Sequence, residues 1–333
     1  MFIMHMADAL VSPAVGGLFW AAGAWLTAKS SAAVSKEEES GKTALMGVLA
    51  AFVFASQMIN FSIPGTGSSG HIGGGLLLAV LLGPERAFLS MVSILTVQAL
   101  FFADGGLLAL GCNIFNMGFF PCFIAYPWIY RKITLRVGGP KGILLGSVSA
   151  SVAGLLMGAF FVVLQTVFSG VTSLPAGIFM LLMLPIHFAI GAVEGFATGM
   201  VITYVYSRMP EVLEGGSPEK YKSGMKRAVA VFAFLALVTG GLFAWYASPL
   251  PDGLEWSVEG VAGSAGIEAP GSFMHSLFSS VQERIAPMPD YALKGEKYAE
   301  NIGTTLSGIL GSIITLTLAL GMGMLFRKRK SRP

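Results

Sequence analysis

His5, His71, His187 and His275 are the only imidazoles in the chain, so any nitrogen-based chemistry must be built from these four rings and the backbone. His5 precedes the first long apolar stretch and His71 opens the third, which puts both on one face of a membrane if the stretches cross it in alternation. If the mature chain begins at Met4, His5 becomes its second residue. The terminal amine, the deprotonated amide of His5 and its imidazole Nδ1 then form two fused chelate rings, three nitrogens in one plane, and His71 supplies a fourth. A planar four-nitrogen set suits Ni(II), and Cu(II) fits on geometry alone. Spacing by itself leaves open that the two histidines are unrelated interface residues. The leading Met1-Phe2-Ile3 would block the amine, so the chelate carries the expectation that Met4 is the first residue of the mature protein.

The elements that must position these groups belong in a bilayer. Of 333 residues, 54% are hydrophobic and 12% charged, and the mean hydropathy is +0.72, far from a soluble composition. Apolar stretches close to the ~20 residues a crossing helix needs fall at 14–30, 43–62, 72–83, 86–104, 107–130, 142–169, 177–206, 227–247 and 304–326. The expectation is an all-α polytopic protein with about nine transmembrane helices. The third stretch is short, which suits a tilted, re-entrant or shielded segment, since buried backbone has more freedom than lipid-exposed backbone. Forty-three glycines predict close helix packing. Cys112 and Cys122 fall inside one stretch and read as packing residues rather than a disulfide or thiolate site. No Lys or Arg precedes the first stretch, against a cleaved signal peptide.

Lys and Arg accumulate on the cytoplasmic side of membrane proteins. With the N-terminus outside and the C-terminus cytoplasmic, all 21 Lys and Arg residues except Arg284, Lys294 and Lys297 fall inside. Trp128 and Tyr130, and Trp245 and Tyr246, sit at span ends, where amphipathic rings favour the interface. The implied location is a bacterial-type inner membrane. The longest polar stretch, 248–303, faces outside and carries eight acids against three bases between 248 and 300; it reads as a solvated acidic loop, as does the cytoplasmic run Lys36-Glu37-Glu38-Glu39.

Polar residues inside spans need partners and often mark function. Gln57, Asn60, Gln98, Asn113 and Asn116 cluster toward outer span ends, where they either orient a metal ligand from behind or act as interhelical glue. His187 and Glu194 are two helical turns apart and share a face; a structural or partner-contacting role is expected for them, away from the outer site. His275 reads as a loop histidine. Ser40-Gly41-Lys42-Thr43 lacks the upstream glycine and the strand of a phosphate-binding loop, so no bound nucleotide is expected. Gly67-Ser68-Ser69-Gly70 with His187 as base gives a rival reading, an intramembrane serine protease, disfavoured by the depth of His187 below Ser69. A metal-sensing membrane protein that transports nothing is a second rival.

The stretch Met4-His5-Met6-Ala7-Asp8-Ala9-Leu10-Val11-Ser12-Pro13 resembles the N-terminal signature of the nickel/cobalt substrate-capture components of energy-coupling-factor ABC transporters, the CbiM/NikM family, with Ala9 where a glycine is usual. Gly65-Thr66-Gly67-Ser68-Ser69-Gly70-His71-Ile72-Gly73-Gly74-Gly75 is similar to that family's glycine-rich loop with its second metal-binding histidine. A third match runs from Gln98 through Asp104-Gly105-Gly106 to Asn113-Ile114-Phe115-Asn116. The resemblance implies that the metal ligands are the amine of Met4, the backbone nitrogen and imidazole of His5, and the imidazole of His71; Asp8, Asn60, Gln98, Asn113 and Asn116 are the polar residues expected behind them. Pro251-Asp252-Gly253-Leu254-Glu255-Trp256 is similar to the motif of the small NikN-type accessory component, here fused. The implied organisation is a metal-binding membrane domain over 4–210, a cytoplasmic linker over 211–226, and an accessory part over 227–333 whose two helices flank the outer loop. The implied function is uptake of Ni2+ or Co2+ as transported substrate, feeding nickel enzymes or cobalamin synthesis. Two ATPase subunits and a transmembrane coupling component would be its partners, in contact with membrane lipid and without nucleic acid; the chain itself is not expected to be an enzyme.

Overall fold

The structure is a computed structural model that describes residues 5–36, 40–214, 218–263, 271–293 and 300–325. Met4, the Glu37–Glu39 run and the basic cluster at 327–332 lie outside the described residues.

Ser12 opens the first long helix, α1 (Pro13–Val34), by accepting a hydrogen bond from the Val15 amide, with Pro13 at the first helical position, where its missing N–H costs nothing. Helix α2 (Ser40–Gln57) stops five residues before the end of its apolar stretch. The chain then forms an antiparallel hairpin, β1 (Phe61–Ile63) and β2 (Ser68–Gly70), paired Phe61 with Gly70 and Ile63 with Ser68. This hairpin departs from the all-α expectation. Its cause is local: Pro64, Gly65 and Gly67 interrupt the helix, and both glycines take positive φ, as turns require.

Helix α3 (Gly75–Leu82) has eight residues, about 12 Å, far short of a bilayer. Gly83, at φ 88°, and Pro84 end α3 and begin α4 (Pro84–Phe101). After α5 (Leu110–Ile114) the chain continues as a wide π-type helix, Phe115–Tyr130, that contains Pro121 and Pro127. Each proline removes a donor and crowds the carbonyl four residues back, which favours the wider turn. Helix α6 (Arg131–Val137) follows it directly.

Helices α7 (Gly139–Ser169) and α8 (Ala176–Arg208) form an antiparallel pair. Gly191, Gly195 and Gly199 recur every four residues along one face of α8. At Gly191 an added Cβ would stand 2.8 Å from the Val152 Cα, and at Gly195 it would collide with the Val148 backbone. The small-residue packing anticipated from composition is concentrated here. The opposite face of α8 leaves Leu181, Phe188 and Phe196 more than half exposed; a helix apolar all round suits hydrocarbon.

The remaining helices are α9 (Pro210–Glu214), α10 (Pro218–Gly241), α11 (Gly253–Ala262), α12 (Phe273–Ile285) and α13 (Glu300–Leu325). Helices α10 and α13 pack on α2, where Gly47 meets Leu320 and Gly311 meets Phe54. Among the described residues, helix lies within every one of the nine apolar stretches. Four helical segments, Gly139–Ser169, Ala176–Arg208, Glu219–Gly241 and Ile302–Leu325, are long and apolar enough by themselves to cross a membrane.

Gly195→Leu would force α7 and α8 apart. The expected loss is about 1–3 kcal/mol, as for other overpacked contacts, read as a lower thermal unfolding midpoint of the detergent-solubilised protein; an unchanged midpoint would contradict this packing.

Candidate metal centre

The N-terminal segment is laid into the protein by side chains acting as substitute backbone. The Asn113 amide on α5 accepts from the Met6 N–H at 3.0 Å and donates to the Met6 carbonyl at 3.1 Å, and the Gly106 N–H donates to the same carbonyl. Asp8 accepts from the Ala109 N–H at 2.9 Å. The approach demands glycine: Gly105, at φ 84°, would place a Cβ 2.9 Å from the His5 Cβ, and a Cβ on Gly106 would collide with Asp8. His5 is thereby delivered, 3% exposed, beside His71, their ring centroids 5.4 Å apart and edge to face.

Behind His5 runs a directed chain of amides. The Gly73 carbonyl can only accept, so the Gln57 Nε2 donates to it at 2.8 Å. The Gln57 Oε1 accepts from the Gln98 Nε2 at 2.9 Å, which leaves the Gln98 Oε1 facing His5 Nε2 at 2.9 Å. An amide oxygen cannot donate, so Nε2 carries the ring proton and Nδ1 carries the lone pair. That Nδ1 is buried and has no hydrogen-bond partner. Buried polar atoms are almost always paired, and a fixed tautomer with an unpartnered Nδ1 is the arrangement metal-ligating histidines show. His71 donates from Nδ1 to the Ile72 carbonyl at 3.1 Å, which makes Nε2 its unprotonated nitrogen.

Asp104, 2% exposed, places a carboxylate oxygen 4.0 Å from His5 Nε2 and accepts from the Tyr291 hydroxyl at 2.7 Å. Burial first, and then the Asp104 charge, push the Tyr291 phenol well above its ordinary range, so it stays a donor. Among the described residues no cluster of three or more His, Cys, Asp or Glu side chains could hold a metal. Further ligands to a metal at the His5–His71 pair would have to be of another kind. Met4, expected to supply the amine, lies outside the described residues.

A cavity of about 110 Å³ adjoins the pair and is lined also by His187, Glu194 and Asp252. The expectation that His187 and Glu194 stand away from this site is corrected: the loop after His71 dips to meet α8, where Glu194 accepts from the Gly73 and Gly74 amides at 2.8 and 3.1 Å. The helical spacing placed both residues on one face but carried no information on loop depth. His187 donates instead to its own helix, at the Met183 carbonyl, so each has a separate partner. The Ser69 hydroxyl donates to the Leu250 carbonyl at 2.7 Å, a bond that a protease nucleophile would have to give up. His275 is not a loop residue in solvent: it is 2% exposed, and its Nε2 donates to the Val11 carbonyl at 2.9 Å.

Of the other residues named from sequence, Asp8, Gln98 and Asn113 are brought to His5 and its segment. Asn116 lines the same cavity, but its amide pairs with Gln165 of α7 at 2.7 and 3.1 Å. Asn60 accepts at its backbone carbonyl from the Ser248 amide, and its side-chain oxygen has no partner.

Residues 5–212 match the family model described as the cobalt uptake substrate-specific transmembrane region, CbiM. The chain belongs to the CbiM family. Residues 226–328 of this CbiM chain match a second model, the PDGLE domain. A putative fused nickel transport protein, NikMN, of Archaeoglobus fulgidus is 33% identical over 327 residues, covering 96% of this chain and 98% of that one. The cobalt transport protein CbiM of Sorangium cellulosum is 30% identical over 181 residues, 54% of this chain and 79% of that one. A crystal structure of a transition metal transporter superposes with a TM-score of 0.55 at 29% identity, covering 62% of this chain and 95% of that one.

The PDGLE motif itself is a docking device on the CbiM region. Asp252 caps α11 by accepting from the Leu254 and Glu255 amides at 3.0 and 2.8 Å. The Pro251 carbonyl accepts from the Ser69 N–H at 2.7 Å, two residues before His71. Gly253 lies against Ile186 and Ile190 of α8, where an added Cβ would stand 3.2 and 3.0 Å from their side chains.

Asn113→Ala removes the clamp on Met6 and leaves its buried N–H unpaired, at a cost of about 1–3 kcal/mol. Hydrogen exchange over residues 6–11 should accelerate in the metal-free protein; unchanged protection there would show that the clamp does not hold the segment.

Proposed function

We propose that this protein captures Ni2+, and by the same chemistry Co2+, at the extracytoplasmic face of the cell membrane and delivers it inward as the substrate-specific component of an energy-coupling-factor ABC transporter. The observation that carries the reading is the buried, unpartnered Nδ1 of His5, its tautomer fixed through Gln98 and Gln57, set beside His71. The proposed ligands are the amine of Met4, the amide nitrogen and Nδ1 of His5, and the imidazole of His71, a planar nitrogen set that favours nickel. The fused PDGLE part and its presence in full-length relatives named as fused nickel transport proteins support nickel over cobalt. The segregation of Lys and Arg supports about nine crossings with the N-terminus outside and the C-terminus inside.

Energy for accumulation would come from two ATPase subunits acting through a transmembrane coupling component, since the chain has no phosphate-binding loop. The protease reading loses support because the Ser69 hydroxyl is committed to the Leu250 carbonyl. The sensor reading makes a different prediction: no ATP-dependent accumulation.

His5→Ala and His71→Ala should each abolish high-affinity nickel binding by the purified full chain, and wild-type affinity should fall on acidification, because the nitrogen ligands bind only when deprotonated. Nickel retained by both variants would refute the site. In cells, radioactive nickel should accumulate only when the ATPase partners are present; equal uptake without them would refute the transporter assignment.

A further inference from the structure

Besides Asp252 in the cavity wall, the outer loop of the PDGLE part reaches the metal centre through Tyr291. Its hydroxyl donates to Asp104 at 2.7 Å, and the Asp104 carboxylate lies 4.0 Å from His5 Nε2. The ring that carries the hydroxyl is fixed independently, stacked on Phe102 at a centroid distance of 4.7 Å and an interplanar angle of 13°. Around it the loop is stitched to the same short stretch: the Met288 and Asp290 amides donate to the Phe101 and Phe102 carbonyls. Gln282 donates to the Ala99 and Gly105 carbonyls at 2.9 and 2.8 Å.

The backbone singles out this contact. Among the described residues, the non-glycine residues with positive φ are Ala103, Asp290 and Tyr291. One adjoins Asp104 and the other two are Tyr291 and its neighbour. A bulky residue such as tyrosine seldom takes this conformation, and it persists only where the surroundings over-determine it. Simple docking of a loop on a membrane domain does not call for strain on both sides of a single hydrogen bond.

The charge of the proposed site gives that hydrogen bond a purpose. A divalent metal bound by one deprotonated amide and otherwise neutral nitrogens carries a net charge of one positive unit. Buried charge is costly unless paired, and Asp104 supplies one negative unit at the protonated side of the His5 ring. The distal N–H itself goes to Gln98, so at 4.0 Å the Asp104 carboxylate acts through its charge, which favours a cationic, metal-bound ring. The Tyr291 hydroxyl is one of the groups that hold that carboxylate in place.

We infer that Tyr291 is a positioning residue for metal capture: the PDGLE loop sets the Asp104 counter-charge against His5, so the fused part completes the metal site that the CbiM region begins. This rests on the His5–His71 reading given above. It can be tested on the full chain in detergent with NiCl2 as the probe. Affinity would be measured by competition with a chromogenic chelator, and coordination by the d–d absorption band of the bound ion.

Tyr291→Phe keeps the stacked ring and removes only the hydroxyl. It should weaken nickel binding about tenfold, at the lower end of what such outer partners contribute, and shift the d–d band. Asp104→Asn should weaken binding at least as much, and the double variant should bind no more weakly than Asp104→Asn alone, since both act along one line. Wild-type affinity and spectrum in Tyr291→Phe, or strictly additive losses in the double variant, would overturn the inference. If Tyr291→Phe does not fold, Asp104→Asn with the ring intact decides it in the same way: unchanged affinity and spectrum there would overturn it. His71→Ala run in parallel separates the two levels. Nickel bound normally by His71→Ala sinks the metal-site reading itself. Binding lost in His71→Ala but normal in Tyr291→Phe sinks only the role of Tyr291.

Discussion

A carbonyl oxygen inside a protein has no proton to give, and at Gly73 this asymmetry propagates. Because that carbonyl must accept, Gln57 must donate; because Gln57 has donated, its oxygen receives Gln98; and the oxygen of Gln98 takes the proton of His5. Two neutral amides thus transmit the polarity of one peptide group to an imidazole and decide which of its nitrogens is bare. Neither amide is charged, so the relay is not screened by salt as an ion pair would be. The glycine loop, the ends of α2 and α4, and the N-terminal segment must all be in register for it to operate.

That register explains why loops are sunk so far among helices. Backbone away from water needs partners, and here side chains supply them: Asn113 for Met6, Asp8 for Ala109, Glu194 for Gly73 and Gly74. Each comes from an element distant in sequence, so the loops gain fixed geometry without forming a sheet of any size. Glu194 shows the logic most plainly, since a carboxylate within an apolar helix is stabilised by two peptide N–H groups at the start of α3 instead of by a cation.

The apolar stretches were legible because lipid selects composition over some twenty residues at a time, and helix lies within each of them. Their lengths were less so. Gln57 ends a helix inside an apolar run, where hydropathy is blind and only Pro64 hints at the break. His5 and His71 stood out because so few side chains here can bind a metal. Gln98 and Asn113 followed from their positions in spans, yet Asn60 and Asn116 obeyed the same pattern without joining His5, because span position does not reveal which face a side chain takes. Tyr291 and His275 were illegible: they reach the N-terminal region from an outer loop nearly two hundred residues or more away in sequence, and no periodicity carries such a contact.

The Pro251–Asp252 segment has a consequence for assembly. The Ser69 amide donates to the Pro251 carbonyl, and Ser69 and Asp252 form an isolated parallel bridge alongside β2. A strand edge left open accepts any extended chain. Carrying the matching segment on the same polypeptide makes its docking an intramolecular event. Fusion therefore acts as a kinetic safeguard, occupying the edge with its proper partner before another extended segment can reach it.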